Sequence, residues 1–281
     1  MKKLFGGINL TWAKLVAFAI IAGVITAVIA LIPGLATTSF HSITETFEIW
    51  IIFGIFIIMN STSNKDSALK CFVFFLISQP LVYLIQVPFA EIGWGLFQYY
   101  KYWAIWTVLC LPMGYIGYYM KKEKWWGYLI LLPMILLTAY SYYGDLRLFG
   151  FYCPKYLLIC AFCVFAMILY PLAVFDNKKI RKVGTLVSIV LIIGVSVAGI
   201  MNPIVYSTEI LGEDQHPLND KYSVTLEDER LGDLSIVELD GYYMVHADFK
   251  KAGKTKVLIT SPEGKTDEYP ITIEHSTYEL N

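Results

Sequence analysis

Seven predominantly apolar stretches run through the chain up to residue 201, at Trp12–Ile32, Thr44–Asn60, Cys71–Ala90, Tyr102–Met120, Trp125–Tyr142, Tyr156–Phe175 and Val183–Met201. A helix needs about 20 apolar residues to cross roughly 30 Å of hydrocarbon, because the bilayer offers no water to an exposed backbone. The pattern therefore predicts about seven transmembrane helices. The second stretch is the weakest, since Glu45 and Glu48 confine its uncharged core to Ile49–Met59, and a re-entrant segment is its alternative. Beyond Asn202 the period changes to short alternation, which signals half-buried strands. These are expected at Ile204–Ile210, Tyr222–Leu226, Leu234–Leu239, Tyr242–Phe249, Thr255–Thr260 and Glu268–Glu274. Asp240-Gly241 is a two-residue hairpin signal, and Ser261-Pro262-Glu263-Gly264 reads as a turn with proline second. The register expected from these turns points Val257, Ile259, Tyr269, Ile271 and Ile273 inward.

Charge sharpens the division. Residues 1–201 hold 15 Lys/Arg against 7 Asp/Glu, and residues 202–281 hold 7 against 16, so a net charge of −1 conceals a basic part and an acidic part. The expected domains are a transmembrane helical domain, 1–201, and an extracytoplasmic β-rich domain, 202–281. Cytoplasmic loops near helix ends are enriched in Lys and Arg. The N-terminus and even-numbered loops carry twelve (Lys2, Lys3, Lys14, Lys65, Lys70, Lys121, Lys122, Lys124, Lys178, Lys179, Arg181 and Lys182), and the opposite side carries Lys101, Arg147 and Lys155. The asymmetry predicts a cytoplasmic N-terminus and, after an odd number of crossings, an exported acidic tail.

The first apolar run also fits a secretory signal, with Gly34-Leu35-Ala36 as a cleavage site. Its length and the residues that precede it favour retention. Clusters such as Tyr99-Tyr100-Lys101-Tyr102-Trp103, Trp125-Trp126 and Tyr140-Ser141-Tyr142-Tyr143 read as anchors at the headgroup level. The five cysteines, at 71, 110, 153, 160 and 163, belong to the membrane part and form no disulfide framework. Cys160 and Cys163 share a helix face, yet no His or carboxylate lies near them in sequence to complete a metal site, and buried cysteine is a small hydrophobe.

No ionisable residue falls in the middle of an expected span. Glu48, Lys101 and Asp145 sit at edges, which argues against proton-coupled transport, voltage sensing and intramembrane metalloproteolysis. The third span carries the most unusual polar pattern. Gln79, Tyr83 and Gln86 fall at i, i+4 and i+7 on one face, and Pro80 removes a backbone donor beside them. Such a face either lines a substrate cavity or hydrogen-bonds across helices as interhelical glue, the latter being favoured. Pro112, Pro133 and Pro171 interrupt later spans, a weak sign of transport. The basic loops could meet anionic lipid headgroups, but orientation signals explain them more economically. No phosphate-binding glycine loop occurs. Neither the acidic pairs and runs of the tail (Glu213-Asp214, Glu227-Asp228-Glu229) nor the scattered His41, His216, His246 and His275 match a metal pattern. No catalytic, cofactor-binding or metal residues are assigned.

The run Gly241-Tyr242, Val245, Ala247, Gly253-Lys254-Thr255-Lys256-Val257, Ile259-Thr260, Gly264-Lys265, Tyr269 and Ile271-Thr272-Ile273 resembles the later strands of bacterial immunoglobulin-like domains. The resemblance covers about residues 220–275 and implies a β-sandwich serving as a cell-surface spacer or adhesion module, without catalytic residues. The leading expectation is a bacterial plasma-membrane protein of structural or interaction type, displaying that domain to envelope or membrane protein partners. The alternative is a transporter or permease subunit for a neutral or amphipathic small molecule. An intramembrane enzyme on lipid-linked substrates, drawing on Glu91 or Asp145, ranks below both. The expected partners are the lipid bilayer and envelope or membrane proteins met through the exported β-domain, and no nucleic acid is expected.

Overall fold

The computed structural model describes residues 5–35, 38–239, 241–275 and 277–280, apart from the side chains of residues 45 and 152–155. Expectations at Lys2, Lys3, Ala36 and Asp240, and for the side chains of Glu45, Cys153 and Lys155, fall outside that set. The chain divides into two compact units, Met1–Asp145 with Pro154–Ala198, and Leu146–Cys153 with Gly199–Asn281.

Among the described residues, the first unit is built from eight α-helices: α1 Trp12–Leu31, α2 Ser39–Glu45, α3 Phe47–Met59, α4 Asn64–Gln86, α5 Tyr100–Gly117, α6 Trp125–Arg147, α7 Phe149–Val174 and α8 Lys178–Met201. The ends of α6, α7 and α8 run into the second unit. Among the described residues, five segments are long and apolar enough to cross a membrane: Trp12–Leu31, Asn64–Phe89, Trp125–Arg147, Tyr156–Val174 and Lys178–Met201. Helices of this length and apolarity make the chain a membrane protein.

Two of the seven expected spans differ for identifiable reasons. Thr44–Asn60 is broken at Thr46, which is extended (φ −91°, ψ 176°), and leaves α3 with 13 residues, about 20 Å of helix. The 18-residue α5 carries Lys101 and the polar-tipped rings of Tyr100, Tyr102, Trp103, Trp106 and Tyr115, and it is not among the five. Other helices are longer than their apolar cores. The side chain of Ser63 accepts from Asp66 N and caps α4 a full turn or more before Cys71, and Lys70 pairs with Asp66 at 2.8 Å inside the first turns.

Glycine sets the close approaches in this unit. A Cβ on Gly23 of α1 would sit 2.8 Å from the Ser78 carbonyl oxygen of α4, and one on Gly114 of α5 would sit 3.0 Å from the Ser67 carbonyl oxygen. Small residues let membrane helices pack backbone to backbone, where lipid supplies no hydrophobic drive. Aromatic rings of Phe18, Phe53, Phe56 and Phe74 fill the space between α1, α3 and α4, with centroids 4.8 to 6.0 Å apart.

Hydrogen bonds tie four connecting segments together. Asn60 accepts from Ile8 N through Oδ1 at 2.8 Å and donates to the Phe5 carbonyl. Lys121 Nζ donates to Ser61 O at 2.6 Å and the Tyr118 hydroxyl to Thr62 O at 2.7 Å. Glu123 in turn accepts from Asn177 N at 2.8 Å.

The second unit is a small β-domain of two antiparallel sheets. Its strands are β1 Tyr206–Gly212, β2 Ser223–Leu226, β3 Gly232–Leu239, β4 Tyr242–Phe249, β5 Gly253–Thr260, β6 Thr266–Glu274 and β7 Thr277–Leu280. The sheets have the orders β1-β4-β3 and β2-β5-β6-β7. Leu239 pairs with Tyr242 across the first expected hairpin, where Gly241 takes φ +82°. Gly264 N donates to Ser261 O at 2.9 Å in the second, with φ +85° at Gly264. Alternation then sets the inner faces. Val245, Ala247 and Phe249 of one sheet and Val257, Ile259, Ile271 and Ile273 of the other are buried in one cluster, with Tyr269 half-buried beside them. β7, Thr277–Leu280, is a short strand that the sequence expectations do not include. Phe151 joins the same core, and Arg147 Nε donates to Asn202 O at 2.7 Å, so residues 146–153 belong to this unit rather than to the membrane part that their sequence position suggests.

Candidate functional site

The face bearing Gln79, Tyr83 and Gln86 borders a cavity of about 310 Å³, partly open, in the helical unit. Helical spacing puts the three residues on one side of α4. Thr26 of α1, Thr44 of α2, Trp50 of α3 and Trp103 of α5 complete its polar and aromatic walls. Trp50 is held in place by an Nε1 hydrogen bond to the Thr44 carbonyl at 2.9 Å. The Tyr83 ring meets Phe97 and Tyr100, each with centroids 6.0 Å away.

Gln79 is 2% exposed, and its Nε2 has no hydrogen-bond partner. The interhelical bond expected of a gluing glutamine is not made at that atom. An amide presents both donor and acceptor, and a shielded donor left without a partner costs roughly 1–3 kcal/mol, a penalty that a polar ligand group would cancel. Charged residues are absent from the cavity wall among the described residues.

A smaller apolar pocket of about 80 Å³ lies between α3, α4, α5 and α6, lined by Phe47, Ile51, Phe75 and Trp106 among others. Trp50 and Trp103 border both spaces. The two together offer uncharged hydrogen-bonding groups on one side of an indole wall and an apolar slot on the other. Sites of this character orient small molecules by a few polar groups within a mostly apolar surround.

A second constellation has no counterpart among the sequence expectations. Glu48 of α3, Asp145 of α6 and Cys163 of α7 bring one carboxylate oxygen each from the acids and the cysteine sulfur to within 4.8 Å of one another. Glu48 and Cys163 are fully buried. Sequence position puts the two acids at span edges and leaves Cys163 a small hydrophobe without ligand partners nearby. Helical structure continues to Arg147, so Asp145 lies within α6, and the fold supplies from two other helices the carboxylates that local sequence lacks. One signal is legible: Glu48 is the one charge in the helix Phe47–Met59, and a lone carboxylate in such a setting needs a partner.

The other residues singled out for chemistry have structural roles. Asp214 accepts from the Tyr242 hydroxyl at 2.6 Å, Glu213 from Tyr243 N at 2.8 Å, and Asp228 pairs with Arg230 at 2.8 Å. That hydrogen bond from Arg230 holds the Asp228 carboxyl below the ordinary aspartate value. His216 Nδ1 lies 2.7 Å from the Tyr269 hydroxyl, and His246 lies between Glu209 and Asp248. Glu91 does not line the cavity.

Compared with family models, curated proteins and solved structures, the chain matches none.

Proposed function

We propose that this chain is a seven-crossing membrane protein whose helical unit binds a neutral or amphipathic small molecule, as a transporter or permease subunit does. The observation that carries the reading is the position of Gln79, Tyr83 and Gln86 on the wall of one partly open cavity, with the Gln79 amide nitrogen shielded and unpartnered. Volume and lining suit a ligand of modest size. An uncharged wall favours an uncharged head, and the neighbouring apolar slot favours an aliphatic or aromatic body.

Seven crossings are supported by the tied connecting segments. Asn60 reaches the chain before α1, Lys121 and Tyr118 reach Ser61 and Thr62, and Glu123 reaches Asn177. Linked in this way, the segments near residues 5–8, 60–62, 118–123 and 177 occupy one end of the helical unit. The chain then traverses that unit once through α1 and once through α2 and α3 together. It continues once each through α4, α5, α6, α7 and α8. The same segments hold most of the Lys and Arg, which favours the cytoplasm for that end and an extracytoplasmic face of a bacterial plasma membrane for the β-domain.

The test is to purify the intact protein and a Gln79→Leu/Gln86→Leu variant, extract each with organic solvent and compare the extracts by mass spectrometry. A molecule near one equivalent per wild-type chain, depleted at least ten-fold from the variant, is the expected result. Identical extracts, with the variant folded, would refute the ligand site.

A display role is the second reading, favoured by the independent core of the β-domain. Seven strands in two sheets around that core support the immunoglobulin-like resemblance at the level of architecture. The orders β1-β4-β3 and β2-β5-β6-β7 differ from the antibody constant type, which pairs its first strand with its second.

A further inference from the structure

Glu48, Asp145 and Cys163 present two hard oxygens and one soft sulfur to a common point. Proximity is joined by a second observation. Glu48 is 0% exposed, and its Oε1, like Asp145 Oδ2, is shielded and makes no hydrogen bond. Only the other Glu48 oxygen is engaged, by the Thr46 hydroxyl. Among the described residues no Lys, Arg or His forms an ion pair with either carboxylate. An uncompensated buried carboxylate costs several kcal/mol, and two side by side repel each other. Protonation or a bound cation relieves such a pair, and the thiol beside it supplies a third ligand atom for a cation.

We propose that these three side chains form a binding site for a divalent transition-metal cation of the zinc class. The ligand chemistry selects the class, because a thiolate disfavours magnesium and calcium, whereas zinc accepts carboxylate oxygen and cysteine sulfur at about 2.0–2.3 Å. Ligand atoms around a tetrahedral ion stand about 3.5 Å apart, so no pair, all lying within 4.8 Å, need close by more than about 1.3 Å. Binding breaks the Cys163 S–H bond. The proton leaves to solvent, and the thiolate electron pair forms the metal–sulfur bond. Two carboxylates and a thiolate leave one unit of negative charge on the loaded site. They fill three of the four positions zinc usually takes, and the fourth stays open for water or another ligand. This site is distinct from the glutamine-lined cavity, and neither depends on the other.

The intact protein in detergent, stripped with a chelator, is titrated with Co²⁺ as an optical probe and then with Zn²⁺. One equivalent of Co²⁺ should produce thiolate-to-cobalt charge-transfer absorption in the near ultraviolet, displaced by one equivalent of Zn²⁺. Cys163→Ser should abolish the band and Cys160→Ser preserve it. Glu48→Gln with Asp145→Asn should weaken Co²⁺ binding at least ten-fold while the elution profile stays that of the folded protein. The isosteric pair decides the matter alone if the serine variant fails to fold. Absence of stoichiometric binding to wild type, or unchanged binding in the isosteric pair, would overturn the site.

Discussion

The helical unit and the β-unit differ in where their polar side chains find partners. In the β-unit the polar side chains of turns and edges are engaged: Asp214 with Tyr242, Glu213 with Tyr243 N, Asp228 with Arg230, and His216 with Tyr269. In the helical unit Glu48 Oε1, Gln79 Nε2 and Asp145 Oδ2 are shielded without partners. Each such group costs stability, and a bound polar ligand or cation would relieve that cost. The contrast favours the helical unit as the seat of binding and makes the β-unit a self-contained body whose polar groups serve its own fold.

The largest expected effect strikes the β core. Phe249 is fully buried there, so Phe249→Ala should destabilise that unit by about 3–5 kcal/mol. Limited proteolysis of the intact protein should show faster cleavage within 202–281, while any molecule retained by wild type is retained equally by the variant. Loss of that molecule would mean the two units do not divide labour in this way. Next in size, Glu48→Gln in chelator-stripped protein should raise stability by about 1–3 kcal/mol, because it neutralises an unpartnered carboxylate without changing shape. The measurement is the fraction surviving as a monodisperse species after graded heating; a lower survival temperature would show that the carboxylate has a stabilising partner.

The smallest effect belongs to the exposed pair of the β-unit. The hydrogen bond from Arg230 depresses the Asp228 value in the folded state. Its contribution is therefore fully present above the unfolded value of about 3.9 and is lost as the pH falls through the lower folded value. Asp228→Asn should lower the thermal midpoint of the β-unit slightly at pH 7, and the gap to wild type should shrink as the pH falls through the depressed folded value. A gap that persists in acid would assign the effect to the Asp228 cap rather than to its charge.

Much of the fold is legible in the sequence because two periodicities dominate it. Apolar length marks five segments that qualify as spans, and alternation puts Val257, Ile259, Ile271 and Ile273 on the buried face. Where polar residues could be helical or not, sequence is ambiguous. The first turns of α4 owe their helicity to the Ser63 cap and the Asp66–Lys70 pair, which hydropathy does not register. The break at Thr46 falls in the polar stretch Thr44–Glu48, where the sequence marks a weak span without saying where the helix stops.

The candidate sites divide along the same line. Gln79, Tyr83 and Gln86 lie on one helix, so their common face can be read directly, although whether that face meets a cavity or a neighbour cannot. Glu48, Asp145 and Cys163 come from three helices, and no spacing rule joins such distant positions. Only tertiary packing brings a residue at the edge of its own span against an inert-looking one in another.

Phe151 and its neighbours give the β-unit an unusual biosynthetic history. Residues 146–153 leave the ribosome well before 199–281, and the intervening chain, most of α7 and α8, belongs to the other unit. The β-unit is a discontinuous domain with a membrane-inserted interruption. Phe151 must wait for Phe249, Val257 and Ile271 before it is covered. A chain truncated after Met201 therefore leaves Phe151 without the core that covers it, an exposed aromatic surface of the kind that quality-control machinery recognises.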